Sequence, residues 1–305
     1  NHLHTYDLVD THYLFSYAPT CAAAIARYRG IPYTMRTMGQ LSPWALAQSR
    51  LKKQLYIKLV EQRNLDRAAV VHCTSEGEAS DVSQFGIQAP LVTVPLGVDS
   101  PPVIPDASAK LHQKYDIPTE ASVILFLSRL HYKKRPDLLL QALQHLGKCR
   151  PFHCLLAGSG DVDYVRYLQQ QITSLGLTQR VTMPGFVEGY DKHLLLQGSD
   201  VFVLPSFSEN FGIAVAEALQ AGLPVVITPD VQIAPEIAKA GAGLVVEGTA
   251  EAVAAALEQL LASPDWRCLL GRQGKILAAD RYSWKAVAHE QQTIYELILK
   301  QSAKQ

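Results

Sequence analysis

Ten short apolar runs decide what this chain can fold into. They fall at residues 7–13, 31–36, 69–74, 91–95, 123–128, 152–157, 181–183, 201–205, 224–228 and 243–246, and they are rich in Val, Ile and Leu. Most lack the polar–apolar alternation of a strand with one wet face. Both faces are therefore expected to be buried, as in parallel sheets covered by helices. Between them lie stretches with helical patterning, among them 22–28, 43–67, 136–146, 164–175, 212–221 and 251–261. Parallel strands need long crossover connections, and helices supply them. The alternation predicts an α/β fold with parallel sheets.

A length of 305 residues points to two domains at roughly 100–200 residues each. A proline-rich break at 94–119 holds Pro95, Pro101, Pro102, Pro105 and Pro118, and it reads as a linker or interdomain crossing with a boundary near residue 98. Proline disfavours strand and helix interiors alike. The expected division is 1–97, 98–281 and a closing amphipathic helix within 282–305 that carries Trp284, Val287, Ile294, Tyr295 and Leu297. Lys+Arg and Asp+Glu are each 28, so the net charge is zero. A bulk basic footprint for nucleic acid is absent. No apolar run reaches the ~18–20 residues that span a bilayer. The start, NHLHTYDLVD, is polar rather than a signal peptide, and it begins with Asn1 instead of Met, which we read as a cut end.

Cys21, Cys73, Cys149, Cys154 and Cys268 are scattered and include no CxxC pair, so free thiols in a reducing cytosol are expected. The histidines make no metal set. His2 and His4 share a strand face without a third ligand, and His12 and His131 are the two read as facing a site.

Four segments could carry chemistry. In SRLHYKKRPDLLL a buried run leads into a loop with Arg129, Lys133, Lys134 and Arg135, and Pro136 opens a helix. Cations at the carboxyl end of a parallel strand suit a diphosphate. A solvated basic loop fits the spacing as well. In LLAGSGD, Gly158 and Gly160 follow another strand. This is not a full GxGxxG, and a tight turn explains it equally, so a NAD fingerprint fails. In DVFVLPSFSENFGIAVAEALQAGLPVVIT, a polar loop with Glu209 and Asn210 precedes an apolar helix opened by Gly212 and closed by Gly222. Glu217 sits inside that helix. A carboxylate there costs free energy unless something hydrogen-bonds it. A ligand's hydroxyl pair would serve, and so would a structural partner or the solvent side of the helix. The amides at Phe211–Gly212 face an anion readily. Finally, 43–67 carries Arg50, Lys52, Lys53, Lys58, Arg63 and Arg67 against Glu61 and Asp66. Such a helix can rest on anionic lipid, although a solvated face is the commoner outcome. There is no GxSxG or HExxH, so hydrolase templates are unsupported.

Taken together, Arg129 with Lys134, and Glu209 with Glu217 eight residues on, resemble the retaining glycosyltransferases of family 4. LSRLHYKKRPD is similar to that family's donor loop, and SENFGIAVAEALQAGLPVV to its E-x7-E signature. TPDVQIAPEI, YSWKAVA, DLVDTHYLFSYAP and GIPYTMRTMGQLSPWAL extend the likeness over nearly the whole chain. The resemblance implies a GT-B fold: two Rossmann-like parallel-sheet domains facing a cleft, with the N-terminal one incomplete by about three strand–helix units. It implies metal-independent transfer of a hexose, with retained configuration, from a UDP- or GDP-sugar to a saccharide or lipid-linked acceptor in polysaccharide or glycoconjugate synthesis. No cofactor and no metal are implied beyond the donor itself, and no nucleic acid partner. The expected location is the cytoplasm, at the inner face of the membrane where the basic helix touches it.

Carried over residue by residue, Arg129 and Lys134 neutralise the donor diphosphate and Glu209 binds donor-sugar hydroxyls. Glu217 holds the ribose, and the amides of Phe211, Gly212 and Ile213, beside Asn210, cradle phosphate and sugar. Gly158, Phe186 and Val187 lie near the base. Ser128 stands where the family has its first glycine. His12, Met38 and Gly39 are the acceptor-side positions, and Met38 replaces the family's usual His. A thioether cannot donate to a sugar hydroxyl. Together with the missing units, Met38 keeps a nucleotide-sugar-binding module without turnover as the alternative reading, and a Rossmann oxidoreductase or epimerase as a distant third.

Overall fold

A strand falls on each of the ten apolar runs in the computed structural model of the protein, which describes residues 5–48, 50–146 and 150–302. Cys149, His2 and His4 lie outside the described residues. Two compact units emerge: residues 1–97 together with 284–305, and residues 98–283.

The first unit is built on β1 (Val9–His12), β2 (Tyr33–Arg36), β3 (Val70–Cys73) and β4 (Leu91–Thr93), all parallel and laid side by side in chain order. Helix α1 (Tyr17–Arg29) makes the first crossover, and Gly30, in the left-handed region at φ 69°, closes it. The expected helix over 43–67 is instead broken into α2 (Pro43–Ala47), α3 (Arg50–Tyr56), a π-helical turn at Ile57–Glu61 and α4 (Gln62–Asp66). Ser42 caps α2 and Pro43 starts it, but Gln48 is extended and ends it. The π turn adds a residue to the repeat and so shifts which side chains face inward. Glu61 is buried there and accepts hydrogen bonds from the Thr20 hydroxyl and from Asn64. Helix α5 (Glu76–Ser83) has Ser75 as its cap. Leu14, Tyr33, Met35, Ile57, Leu65 and Val71 form the core.

The second unit holds β5 (Ser122–Leu127), β6 (Phe152–Ala157), β7 (Val181–Gly185), β8 (Val201–Leu204), β9 (Val225–Ile227) and β10 (Gly243–Val245), all parallel in the order β10-β9-β8-β5-β6-β7. Its helices are α6 (Ala107–Tyr115), α7 (Pro136–Leu146), α8 (Val162–Ser174), α9 (Gly189–Gly198), α10 (Ile213–Ala221), α11 (Ala234–Ala240), α12 (Ala250–Ala262) and α13 (Pro264–Leu277). Helix α6 corrects the reading of 94–119 as linker throughout. The prolines fall outside residues 107–117, and Leu111 and Ile117 are buried. Gly198 permits the close approach, since a Cβ there would come within 2.8 Å of the Ala107 carbonyl oxygen.

A second π-helical turn, Ala278–Tyr282, ends the unit. Helix α14 (Trp284–Ser302) then belongs to the first unit. Gln291 accepts from Arg36 at 2.8 Å and Tyr295 donates to Asp10 at 2.6 Å.

The strand order matters for function. From β5 the chain first builds outward through β6 and β7, then returns to place β8 on β5's other side. In open parallel sheets ligands bind at the carboxyl ends of strands where the order reverses in this way.

Candidate active site

The loops leaving β5 and β8 open at that switch point, and they carry the cations and carboxylates singled out above. After β5, Ser128 and Arg129 lead into a short 3-10 turn at Tyr132–Lys134. After β8, Ser206 donates to the Lys133 carbonyl at 2.9 Å, and the Phe207 amide donates to the same oxygen at 3.1 Å. The two loops are thus fixed to each other. Glu209 is pinned by backbone bonds on both sides: its amide donates to Asp230 O and its carbonyl accepts from Gln232 N, each at 3.0 Å. Gly212 then opens α10 at φ 86°.

A cavity of about 390 Å³ lies between these loops. Its lining includes Ser128, Arg129, Lys134, Gly158, Phe186, Val187, Glu209, Gly212, Ile213 and Glu217. Gly158 is there for close approach. Its φ is +142°, and a Cβ would stand 1.8 Å from the Ser128 carbonyl oxygen. No other residue lets β6 end so near the loop that follows β5.

Lys134 is only 6% exposed and touches the Glu209 carboxylate. Burial, with the neighbouring Lys133 and Arg129 cations, pulls its ammonium below the usual lysine range. The carboxylate in contact with it favours the charged form and opposes that. Burial first, and then the Arg129, Lys133 and Lys134 cations, lower His131, whose ring accepts from the Lys133 amide and does not line the cavity. Phe211 also turns away. It is buried edge-on against Tyr282, ring centroids 5.5 Å apart, so only its backbone can serve a ligand. The Asn210 side chain is not in the lining either.

Sequence reasoning missed Lys192 on α9. Its ammonium donates to Glu217 Oε1 at 2.8 Å, and both side chains line the cavity. This answers the question raised by a carboxylate in an apolar helix: Glu217 has a structural partner and also faces the cavity. The pairing crosses from α9 to α10, so no local pattern could reveal it.

His12, Met38 and Gly39 sit in the first unit, at the carboxyl ends of β1 and β2. His12 is paired with Asp10 at 3.2 Å. Met38 adopts φ 50° and Gly39 φ 73°. A second missed residue organises this loop. Glu78 is buried and accepts from the Gly39 amide, from the Thr37 hydroxyl at 2.5 Å and from Thr74 N and Oγ1 at 2.7 and 2.8 Å. Among the described residues no group of His, Cys, Asp and Glu could hold a metal ion.

Comparison with known proteins places this arrangement. Residues 107–276 match the family described as Glycosyl transferases group 1, and residues 2–97 match the Glycosyl transferase 4-like domain. The chain belongs to the group 1 glycosyltransferases. This glycosyltransferase is 30% identical over 299 residues to the D-inositol 3-phosphate glycosyltransferase of Xylanimonas cellulosilytica, which covers 95% of the chain and 72% of that protein. It is 30% identical over 213 residues to the GDP-mannose-dependent alpha-(1-6)-phosphatidylinositol monomannoside mannosyltransferase of Mycolicibacterium smegmatis, covering 67% of the chain and 55% of that protein. Among solved structures, Anabaena Alr3699/HepE in complex with UDP superposes with a TM-score of 0.81 at 25% identity, over 97% of this chain and 79% of that one. The sucrose-phosphate synthase of Thermosynechococcus elongatus, at 21% identity and a TM-score of 0.78 over 97% of this chain and 74% of that one, shares the fold. The GT-B architecture and the transfer of a sugar from a nucleotide-sugar follow.

Proposed function

We propose that this glycosyltransferase moves a hexose from a UDP-sugar to a saccharide or lipid-linked acceptor, with retained configuration and without a metal ion. The observation that carries this reading is the convergence of Arg129, Lys134, Glu209 and Glu217 on one cavity at the switch point of a parallel sheet. Cleaving the sugar–phosphate bond leaves negative charge on the diphosphate. Cations already set around that oxygen stabilise it without reorganising at the moment of reaction. Arg129 offers a planar fork and Lys134 a buried point charge. The first amides of α10 add a partial positive charge. Glu209, held by its backbone and by Lys134, would accept from donor-sugar hydroxyls, and Glu217 from the ribose. In the family this chain resembles, the leaving phosphate helps to deprotonate the acceptor from the same face, so no protein base is assigned.

UDP is favoured over GDP because HepE, which shares the fold over nearly the whole chain, is described in complex with UDP and with UDP-glucose. Contact with a membrane surface, on the cytoplasmic side where nucleotide-sugars are made, is supported by Leu51, Leu55 and Leu59. They stand exposed four residues apart along the broken helix, with Lys52 and Lys58 beside them. Among the described residues no helix is long and apolar enough to cross a membrane.

Calorimetric titration with UDP and GDP, with Glu217→Ala beside the wild type, tests the donor site. Binding of UDP, weakened by ~1–3 kcal/mol in the variant, is expected. Equal binding by both proteins would remove the assignment. The unusual Met38 supports a second reading, binding without turnover. Hydrolysis or transfer of a bound UDP-sugar separates the two.

A further inference from the structure

A second charged cavity lies in the first unit, at the amino ends of β2 and β3 and so at the opposite end of that sheet from Met38 and Gly39. It has a volume of about 810 Å³ and is lined by Arg27, Arg63 and Arg67 together with Tyr33, Ile298 and Ser302 among others. Among the described residues no acidic side chain is in the lining. Elsewhere Arg135, Arg166, Arg267 and Arg281 each have a carboxylate within 4.0 Å. Arg27, Arg63 and Arg67 have none among the described residues, and the Nε of Arg27 is buried without a hydrogen-bond acceptor. Two carboxylates of the neighbouring helical segment are engaged. Asp66 accepts from Gln62 at 3.2 Å and from the Gln88 amide at 3.1 Å, and Glu61 is taken up by Thr20 and Asn64. The carboxyl ends of α1 and α4 favour cations nearby, but a helix end supplies only about half a charge. Three full guanidinium charges therefore converge with too little to offset them.

We propose that Arg27, Arg63 and Arg67 form a binding groove for a phosphate group, separate from the donor site. Three forked donors around one cavity match a tetrahedral oxyanion better than a point charge does. The groove takes in the end of α4, and the exposed Leu51, Leu55 and Leu59 lie earlier on the same helical segment. The phosphate of an anionic lipid headgroup would place its acyl chains toward such a stripe. A soluble phosphate compound would use the guanidinium groups alone.

The test uses the whole chain. In calorimetry with inorganic pyrophosphate, the wild type should show two sites. Arg27→Gln/Arg67→Gln should lose one of them by at least about tenfold, and Arg129→Ala should lose the other. Arg63→Gln, a single substitution, gives a milder second variant expected to weaken the same site. Lys52→Gln/Lys58→Gln removes equal charge outside the groove and should keep both sites. Two outcomes overturn the groove: a second site that survives Arg27→Gln/Arg67→Gln, or one lost equally in the lysine variant, which would mean net charge alone. A wild type with a single site, sensitive only to Arg129, overturns it while leaving the donor assignment standing. Sedimentation with phosphatidylglycerol vesicles then identifies the source. An Arg27/Arg67-dependent partition that neutral phosphatidylcholine vesicles do not show assigns a lipid headgroup. Pyrophosphate binding without such partition assigns a soluble phosphate.

Discussion

Glu217 shows what a single residue can disclose and what it conceals. Its position in an apolar helix marks it as needing a partner, because an unpaired carboxylate there is costly. The partner, Lys192, is 25 residues earlier in sequence and visible only once α9 lies beside α10. In the proposed donor site Lys192 holds the Glu217 carboxylate aimed into the cavity. Lys192→Met should therefore raise the donor KM about tenfold, which is ~1.4 kcal/mol, and affect kcat less. A steady-state comparison at varied UDP-sugar checks this, and an unchanged KM would make the pair merely structural. A second residue sets a pH limit. His72 is buried in β3 and receives a hydrogen bond from Arg36 at 3.2 Å. Burial first, and then the Arg36 cation, lowers it to about 4. A histidine depressed in this way binds a proton more readily when unfolded. Its contribution is intact above the ordinary value of about 6.5 and is lost as pH falls toward 4, at most about 3 kcal/mol in all. Asp10 follows at lower pH. Burial alone would raise it, but hydrogen bonds from His12, Thr34 and Tyr295 hold it below the carboxylate range. Urea unfolding between pH 7 and 4.5 should show a falling midpoint that His72→Gln flattens.

At the scale of elements, the strands were legible because burial on both faces leaves a contiguous apolar signature in each of them. Helix continuity was less so. The 43–67 segment has the composition of one helix, yet the extended Gln48 and the π turn break it, and both answer to tertiary demands such as burying Glu61. Helix α6 was hidden by the prolines on either side of it. The site was half legible: residues of the β5 and β8 loops could be singled out, but their meeting depends on a strand order that local pattern does not encode. Gly158 ties the two levels together. Gly158→Ala combines a backbone clash with an unfavourable φ and should destabilise the second unit by about 3 kcal/mol or more. Gly241, at φ +62°, is surrounded by open space, and a Cβ there would meet nothing within 4 Å, so Gly241→Ala should cost only ~1 kcal/mol. Thermal melts of the two variants separate close approach from conformation alone; equal losses would contradict the packing argument.

At the scale of the whole molecule, the second unit is one continuous stretch, 98–283, while the first is made of two pieces that meet only when α14 returns. Continuity predicts autonomy for one and dependence for the other. The second unit contains its whole six-stranded sheet and all the residues that line the proposed donor cavity. The first unit has four strands, and α14 joins it through a limited set of contacts. Trp284 lies so close to Gly97 that a Cβ there would be 2.5 Å from the ring, Val287 and Ile298 are buried, and Gln291 and Tyr295 satisfy Arg36 and Asp10. Removing the helix would expose that apolar surface at roughly 25 cal/mol per Å² and leave Arg36 and Asp10 short of partners. Ending the chain after Ser283 should therefore lower the melting transition of the first unit. The second unit should keep its own transition and bind UDP within about twofold of the full chain, since separate units unfold as separate steps. Scanning calorimetry of the shortened chain, with and without UDP, reads both. Loss of UDP binding along with α14 would mean that the donor site depends on the first unit for its integrity, against the division drawn here.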